Sequence, residues 1–220
     1  MEAAIVQSQE LITLLGAAEA SSAVLEESIA LAPRLVAADG GAVQALARGL
    51  MPDAVIGDLD SLPAEVRARI PSERLHRIAE QDSTDFDKAL RQIAAPLVLA
   101  VGFTGQRLDH ELAVYNALVR NADRRAIVIG EHDICFHLGT ALRLELPEGS
   151  RVSLFPMADV RCESEGLRWP TDGLVFSPAG RVGTSNIVAQ SPVGLRPGGA
   201  GMLVILPRAG LRQAIGALAG

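Results

Sequence analysis

Between Leu11 and Gly130 the chain alternates short apolar runs with segments whose apolar residues recur every three or four positions. The runs LITLLG, RLVAAD, DAVIGD, LHRIAE, LVLAVG and AIVIG read as strands. SSAVLEESIALA and STDFDKALRQIAA carry helical spacing. Repeated strand and helix alternation predicts a mainly parallel sheet flanked by helices, with ligands bound at the carboxyl ends of the strands. After Gly130 the texture changes. HDICFHL, ALRLEL, RVSLFP, DVRCES, GLVF, NIVAQ and GMLVILP are short strand-like runs punctuated by Gly and Pro, with no helical pattern until the last ten residues. The expected fold class is therefore an α/β domain over residues 1–130, followed by a β-sandwich-like or small-barrel domain over 131–220. Neither an internal repeat nor a low-complexity tract interrupts it.

Composition narrows the functional classes. The 220 residues are 49% apolar and 21% charged, which is globular material. A net charge of −6 and a pI near 5.3 leave no basic surface for a phosphate backbone, so small ligands are expected and nucleic acid is not. No Lys or Arg precedes Arg34, and no apolar run approaches the roughly 20 residues of a membrane span. A cytoplasmic protein without membrane contact is the expectation. Cys135 and Cys162 stand alone, without a CxxC spacing, and read as ordinary reduced thiols.

Four motifs sit where strands end. GDLDS, residues 57–61, follows the run Ala54, Val55, Ile56. If the chain stays extended there, Asp58 and Asp60 project to the same side about 6–7 Å apart, and hard oxygen ligands beside Gly57 suit Mg²⁺. The competing reading is a turn whose Asp caps a helix over Pro63 to Arg69. In QDSTDFDKAL, residues 81–90, Ser83 or Thr84 can cap a helix and Phe86, Leu90 and Ile93 form its buried stripe. Asp85 and Lys88 then share a face at the anion-favouring end, near Asp82. Lys88 is the only lysine among twenty basic residues, and a lysine there acts as a compact point charge on a phosphate. In GFTGQRLDHELAVYN, residues 102–116, Arg107, Asp109 and His110 lie where the next helix begins. Its expected buried stripe is Leu108, Leu112, Tyr115 and Val119, and Asp109 reads equally as a plain N-cap. ADGGA adds Asp39, Gly40 and Gly41, the glycines allowing a phosphate or sugar close to the backbone. No Walker A or GxGxxG sequence is present. Clustered carboxylates with Lys88 and Arg107 are the parts phosphoryl-type transfer needs, because its loose transition state rewards positioning and charge neutralisation.

With ADGGA, PDAVIGDLDS, QDSTDFDKAL and GFTGQRLDH in order, followed by GLRWP and GTSN, the chain resembles the thiamine pyrophosphokinase family from about Leu35 to Pro207. The resemblance implies transfer of the diphosphate of ATP to the hydroxyethyl group of thiamine, giving thiamine diphosphate and AMP. It also implies a homodimer. In the family, the residues matching Asp58, Asp60 and Asp85 serve Mg²⁺ and the ATP phosphates, as does the acid matching Asp109. Those matching Lys88 and Arg107 assist the phosphates, with Asp39, Gly40, Gly41, Gln81, Asp82, Thr84 and His110 as nucleotide-side candidates. The residues matching Trp169, Ser185 and Asn186 belong to the thiamine pocket. Asp109 is the candidate to orient the thiamine hydroxyl or accept its proton. Two positions depart from the family's pattern: Val43 replaces an Asn after DGGA, and Gln106 replaces a Gly before RLDH. A diphosphokinase for another alcohol, a non-catalytic Mg·ATP sensor and a phosphohydrolase use similar parts and stay open at this point.

Overall fold

The apolar runs of the first half become the strands of a parallel sheet. The computed structural model describes residues 4–220. In chain order its first elements are β1 (Val6–Gln7), β2 (Ile12–Leu15), α1 (Ser22–Leu31), β3 (Arg34–Ala38), α2 (Gly41–Ala47), β4 (Ala54–Gly57), α3 (Ala64–Arg67), β5 (Leu75–Arg77), α4 (Asp85–Arg91), β6 (Ile93–Ala94), β7 (Val98–Val101), α5 (Leu108–Arg120) and β8 (Ala126–Ile129). They are followed by β9 (Asp133–His137), β10 (Leu142–Leu144), β11 (Arg151–Pro156), β12 (Val160–Glu165), β13 (Val175–Phe176), β14 (Gly183–Ile187), β15 (Val193–Pro197), β16 (Met202–Pro207) and α6 (Leu211–Ala219). Contacts divide the chain into two units. The first runs to Ala117 and includes Val128–Glu131; the second holds Leu118–Ile127 and His132–Gly220.

In the first unit β2 pairs with β7 in parallel from Ile12 opposite Val98 to Leu15 opposite Val101. β3 pairs with β4, and β4 with β5, also in parallel. β3 lies beside β2, and Pro33, just before β3, forms an isolated bridge with Ile12. The chain thus leaves β2 on one side through β3, β4 and β5, and returns on the other side as β7. Connections that diverge from one strand open a crevice at the carboxyl ends, the place where open α/β sheets take ligands. Every residue of β2, β4 and β7 is buried, as continuous apolar strands covered on both faces must be.

The expected helix over STDFDKALRQIAA is shorter than its periodicity. α4 stops at Arg91, and Ile93–Ala94 pairs in parallel with β1 instead, the carbonyls of Gln92 and Ala94 accepting from Val6 and Ser8. In α5 the buried stripe is Val114, Ala117 and Leu118, whereas Leu108 and Leu112 are 71% and 56% exposed. The expected stripe is corrected by one residue of rotation. The helix carries two adjacent apolar stripes, and spacing alone does not say which one meets the core.

The second unit contains two antiparallel four-stranded arrays, β14-β11-β16-β9 and β10-β15-β12-β13. β12 alternates buried and exposed residues along its length, the signature of a sheet with one covered face. VGLRP, which carries no strong strand signal because of Gly194 and Pro197, forms β15 between β10 and β12. The strand expected at NIVAQ begins earlier, at Gly183, so GTSN is itself strand. Its pairing with β11 is bulged: Val152 faces Asn186 but Leu154 faces Gly183, leaving one extra residue on β14. Among the described residues no helix is long and apolar enough to cross a membrane.

Burial also sets the thiol chemistry. Cys135 and Cys162 are free and buried, and desolvation of the thiolate pushes them up to about 12 and about 11. At pH 8 both are protonated, so the native protein is expected to leave a thiol reagent such as DTNB unconsumed and to release both thiols in guanidinium. Stoichiometric native labelling would contradict the packing of β9 and β12.

Candidate active site

Three strand and helix ends of the first unit bring carboxylates together. β3 delivers Asp39, which is buried, with its N–H donating to the Ile56 carbonyl at 3.0 Å and its Oδ2 accepting from Ser61 Oγ. β4 delivers Asp58 and α4 begins with Asp85. One oxygen from each of the three lies within 4.8 Å of the others. Lys88 Nζ sits 3.2 Å from Asp58 Oδ2 and 3.7 Å from Asp85 Oδ1, its side chain 2% exposed. Three carboxylates against one ammonium leave the cluster short of positive charge. Asp39 Oδ1 is buried and has no partner within the protein. Buried charge and orphaned acceptors are costly unless matched, so the donor set fits a hard divalent cation such as Mg²⁺, which takes oxygen ligands.

The chain does not stay extended through GDLDS. Leu59 takes a left-handed conformation (φ 63°) and is buried in a cluster with Leu62, Val66 and Ile70. This turns Asp58 inward and Asp60 outward, their side chains 19% and 70% exposed. The expectation that they project together is thereby corrected: Asp60 stands outside the triad, 3.9 Å from Arg77, while its N–H donates to Asp58 Oδ1 at 3.2 Å. Neither acid caps α3, whose N-cap is Pro63. The Asp60 amide is the main reason the Asp58 carboxyl lies below its ordinary range, with Lys88 and a Gln81 hydrogen bond adding to it. Asp85 is raised, first by burial and then by the charge of Asp39.

Glycine makes this meeting possible. A Cβ on Gly57 would lie 2.7 Å from the Cβ of Asp39. At Gly41 the protein's own backbone already requires glycine, because a Cβ there would lie 2.0 Å from the Leu15 carbonyl oxygen. The space it leaves is filled by the protein's own backbone.

Beside the triad a crevice of about 220 Å³ is lined by Ala17, Ala38, Asp85, Phe103, Arg107 and His110, among others. Arg107 binds Asp109 through both carboxylate oxygens, at 2.6 and 3.2 Å, and both side chains are 65% exposed. Asp109 lies in the first turn of α5 rather than at its cap, and is not part of the triad. Thr84 caps α4, its hydroxyl accepting from the Asp87 amide. Gln81 and Asp82 are exposed in the preceding loop. Arg91 ties that loop down, reaching both oxygens of Glu80 at 3.0 and 2.9 Å and Ser83 Oγ at 3.0 Å. Val43 packs against the core cluster rather than lining the crevice.

The second unit has its own pocket, about 330 Å³, lined by Trp169, Thr171, Phe176, Arg181, Ser185 and Asn186, among others. Trp169 is 52% exposed and so is not a core tryptophan. Asn186 holds its backbone: the Trp169 amide N–H donates to Oδ1 at 3.2 Å, and Nδ2 donates to the Trp169 carbonyl at 2.7 Å. Oδ1 also accepts from the Ile187 amide at 2.9 Å. Asn186 therefore fixes the backbone from which the indole projects. Ser185 occupies the bulge at φ 60°, its amide donating to Ser153 Oγ at 3.0 Å.

Two family models match this chain in the order of these two sites. The thiamin pyrophosphokinase catalytic domain covers residues 25–129, and the thiamin pyrophosphokinase vitamin B1 binding domain covers residues 137–195. The chain belongs to the thiamin pyrophosphokinase family. It is 29% identical over 161 residues to Thiamine pyrophosphokinase 1 of Oryza sativa subsp. japonica, and 26% identical over 161 residues to Thiamine pyrophosphokinase 1 of Arabidopsis thaliana. Each match covers 64% of this chain, but the chain spans only 61% and 60% of those relatives. Among solved structures, its fold is similar to the thiamin pyrophosphokinase from Candida albicans (TM-score 0.73, 16% identity, 92% of each chain). It is also similar to the one from Geobacillus thermodenitrificans (TM-score 0.71, 23% identity, 90% of this chain and 96% of that one).

Within this thiamin pyrophosphokinase family member, sequence reasoning placed Asp39 among nucleotide contacts and missed that it joins the acidic triad. The signal was present, since Asp39 follows an apolar run just as Asp58 does. Ser153 and Arg91, which act through other residues, carried no signal at all. Two outcomes follow from the geometry. Asp39→Asn and Asp58→Asn are expected to weaken Mn²⁺ or Mg²⁺ binding by more than about tenfold, and Asp60→Asn by less, as measured by calorimetry. Asp85→Asn is expected to raise the Tm of the metal-free protein at neutral pH. A raised carboxyl pKa means that the ionised form costs stability above that pKa, and the amide removes the cost. A lower Tm would show that Asp85 is held by its ion pair with Lys88 instead.

Proposed function

We propose that the chain is a thiamine diphosphokinase, transferring the diphosphate of ATP to the thiamine hydroxyl with release of AMP. The observation that carries the reading is the triad of Asp39, Asp58 and Asp85 around one buried lysine at the sheet's switch point, in a member of this family. Asp39, Asp58 and Asp85 would hold Mg²⁺, with Asp60 at the rim. Bound there, the ion supplies charge neutralisation on the phosphate oxygens. Lys88 offers a point charge to the same oxygens, and Arg107 gains a phosphate when it turns from Asp109. Asp109, so released, would orient the hydroxyl or take its proton. The nucleotide-side residues are Gly40, Gly41, Gln81, Asp82, Thr84 and His110. Trp169, fixed by Asn186 and flanked by Ser185, takes the thiamine rings, whose permanent thiazolium charge suits an indole face. The protein is read as a cytoplasmic homodimer.

Incubation with Mg·ATP and thiamine is expected to yield AMP and thiamine diphosphate. ADP and inorganic phosphate formed without thiamine would instead make it a phosphohydrolase. Trp169→Ala is expected to raise the thiamine KM by roughly 2- to 30-fold, the equivalent of about 0.5–2 kcal/mol of stacking and cation–π attraction. The ATP KM should shift by less than about twofold, because Trp169 lies in the pocket of the second unit.

A further inference from the structure

The indole that this reading gives to thiamine already carries a cation. The guanidinium carbon of Arg168 lies 5.3 Å from the centroid of the Trp169 ring. Arg168 is exposed and forms no ion pair among the described residues, and its guanidinium lies against the ring. The backbone beneath the pair is fixed: the Arg168 amide donates to the Ile187 carbonyl at 2.8 Å, and Trp169 is held on both sides by Asn186. Only side-chain torsions remain free. The pocket lining includes Arg181 and no carboxylate.

An indole face attracts a cation through its quadrupole, and two cations on one face repel each other. We infer that Arg168 is a specificity-determining residue: its guanidinium on the Trp169 ring opposes a second cation stacking on the same indole, although Arg168 does not itself line the pocket. The inference rests on the assignment of thiamine to Trp169. Two cations sharing one ring make binding weaker than an indole without Arg168 would give, and the weakening falls hardest on ligands that are themselves charged. A neutral aminopyrimidine on the same ring meets no such repulsion.

The chain's single tryptophan allows a direct test, since its fluorescence reports on this pocket alone. Thiamine and the neutral 4-amino-5-hydroxymethyl-2-methylpyrimidine are titrated into wild type, Arg168→Gln and Arg168→Lys. Arg168→Gln is expected to tighten thiamine binding by about two- to fivefold and to change the neutral pyrimidine by less than about twofold. Arg168→Lys, which keeps the cation, should bind thiamine as wild type does. Unchanged or weaker thiamine binding in Arg168→Gln would overturn the inference and make Arg168 a support for the ring. Equal tightening for both ligands would also overturn it, leaving a steric effect. Tryptophan fluorescence indifferent to thiamine in all three proteins, while AMP release persists, would sink the assignment of thiamine to Trp169 and this inference with it.

Discussion

Three carboxylates crowded around one ammonium are the constraint from which the rest of the first unit follows. Like charges this close raise one another's pKa, and burial raises them further. The protein answers by making the acids unequal. Asp58 receives the Asp60 amide and Lys88 and is held below its ordinary range, while Asp85 is pushed above its own. Carboxylates with pKa values driven apart are a recurring feature of sites that do chemistry. Here the surroundings favour the anion of Asp58 and disfavour that of Asp85. Asp39, with an oxygen buried and unpaired, completes a set of donors that the protein alone does not satisfy.

Holding that set together requires backbone conformations that side chains normally avoid. Apart from glycine, the described residues contain three with positive φ: Asp39, Leu59 and Ser185. Two shape the triad, and the third lies in the indole pocket. Such conformations cost on the order of 1–3 kcal/mol each and persist only where surrounding contacts over-determine them. The contacts are identifiable. Asp39 is tied by its amide to Ile56 and by its carboxylate to Ser61. Leu59 is buried among apolar neighbours, and Ser185 is caught by Ser153. A left-handed leucine is otherwise a poor choice, so its burial is what allows one five-residue turn to aim one acid inward and the next outward.

That turn also marks the limit of what the sequence disclosed. The parallel strands were legible because they are short, apolar and continuous, and the crevice followed from their order. Asp58, Asp85 and Lys88 were legible because acids at strand ends and a solitary lysine stand out against their surroundings. The facing of Asp60 was not, since period-two reasoning assumes an extended chain and Leu59 breaks it through a contact with α3 that has no local signal. The α5 stripe escaped for a related reason, because two apolar stripes on one helix are equivalent until a sheet is laid against one of them. β15 was hidden by Gly194 and Pro197, residues that weaken a strand signal without forbidding a strand already paired on both sides.

The contrast between Lys88 and Arg91, three residues apart on α4, explains why the chain departs once from its use of arginine. Arg91 works by its several fixed donors: Nη2 donates to both oxygens of Glu80 and to Ser83 Oγ while Nε donates to the Asp87 carbonyl, fastening the loop that precedes the helix. Lys88 works by compactness. It is buried between two acids on different elements, at 3.2 and 3.7 Å, where a rigid fork would have to face one carboxylate and turn away from the other. A point charge on a flexible stem can be shared between them and can shift toward any further anion that enters. Arginine at this position would keep the charge and lose the sharing, so what the site requires of residue 88 is geometry as much as sign.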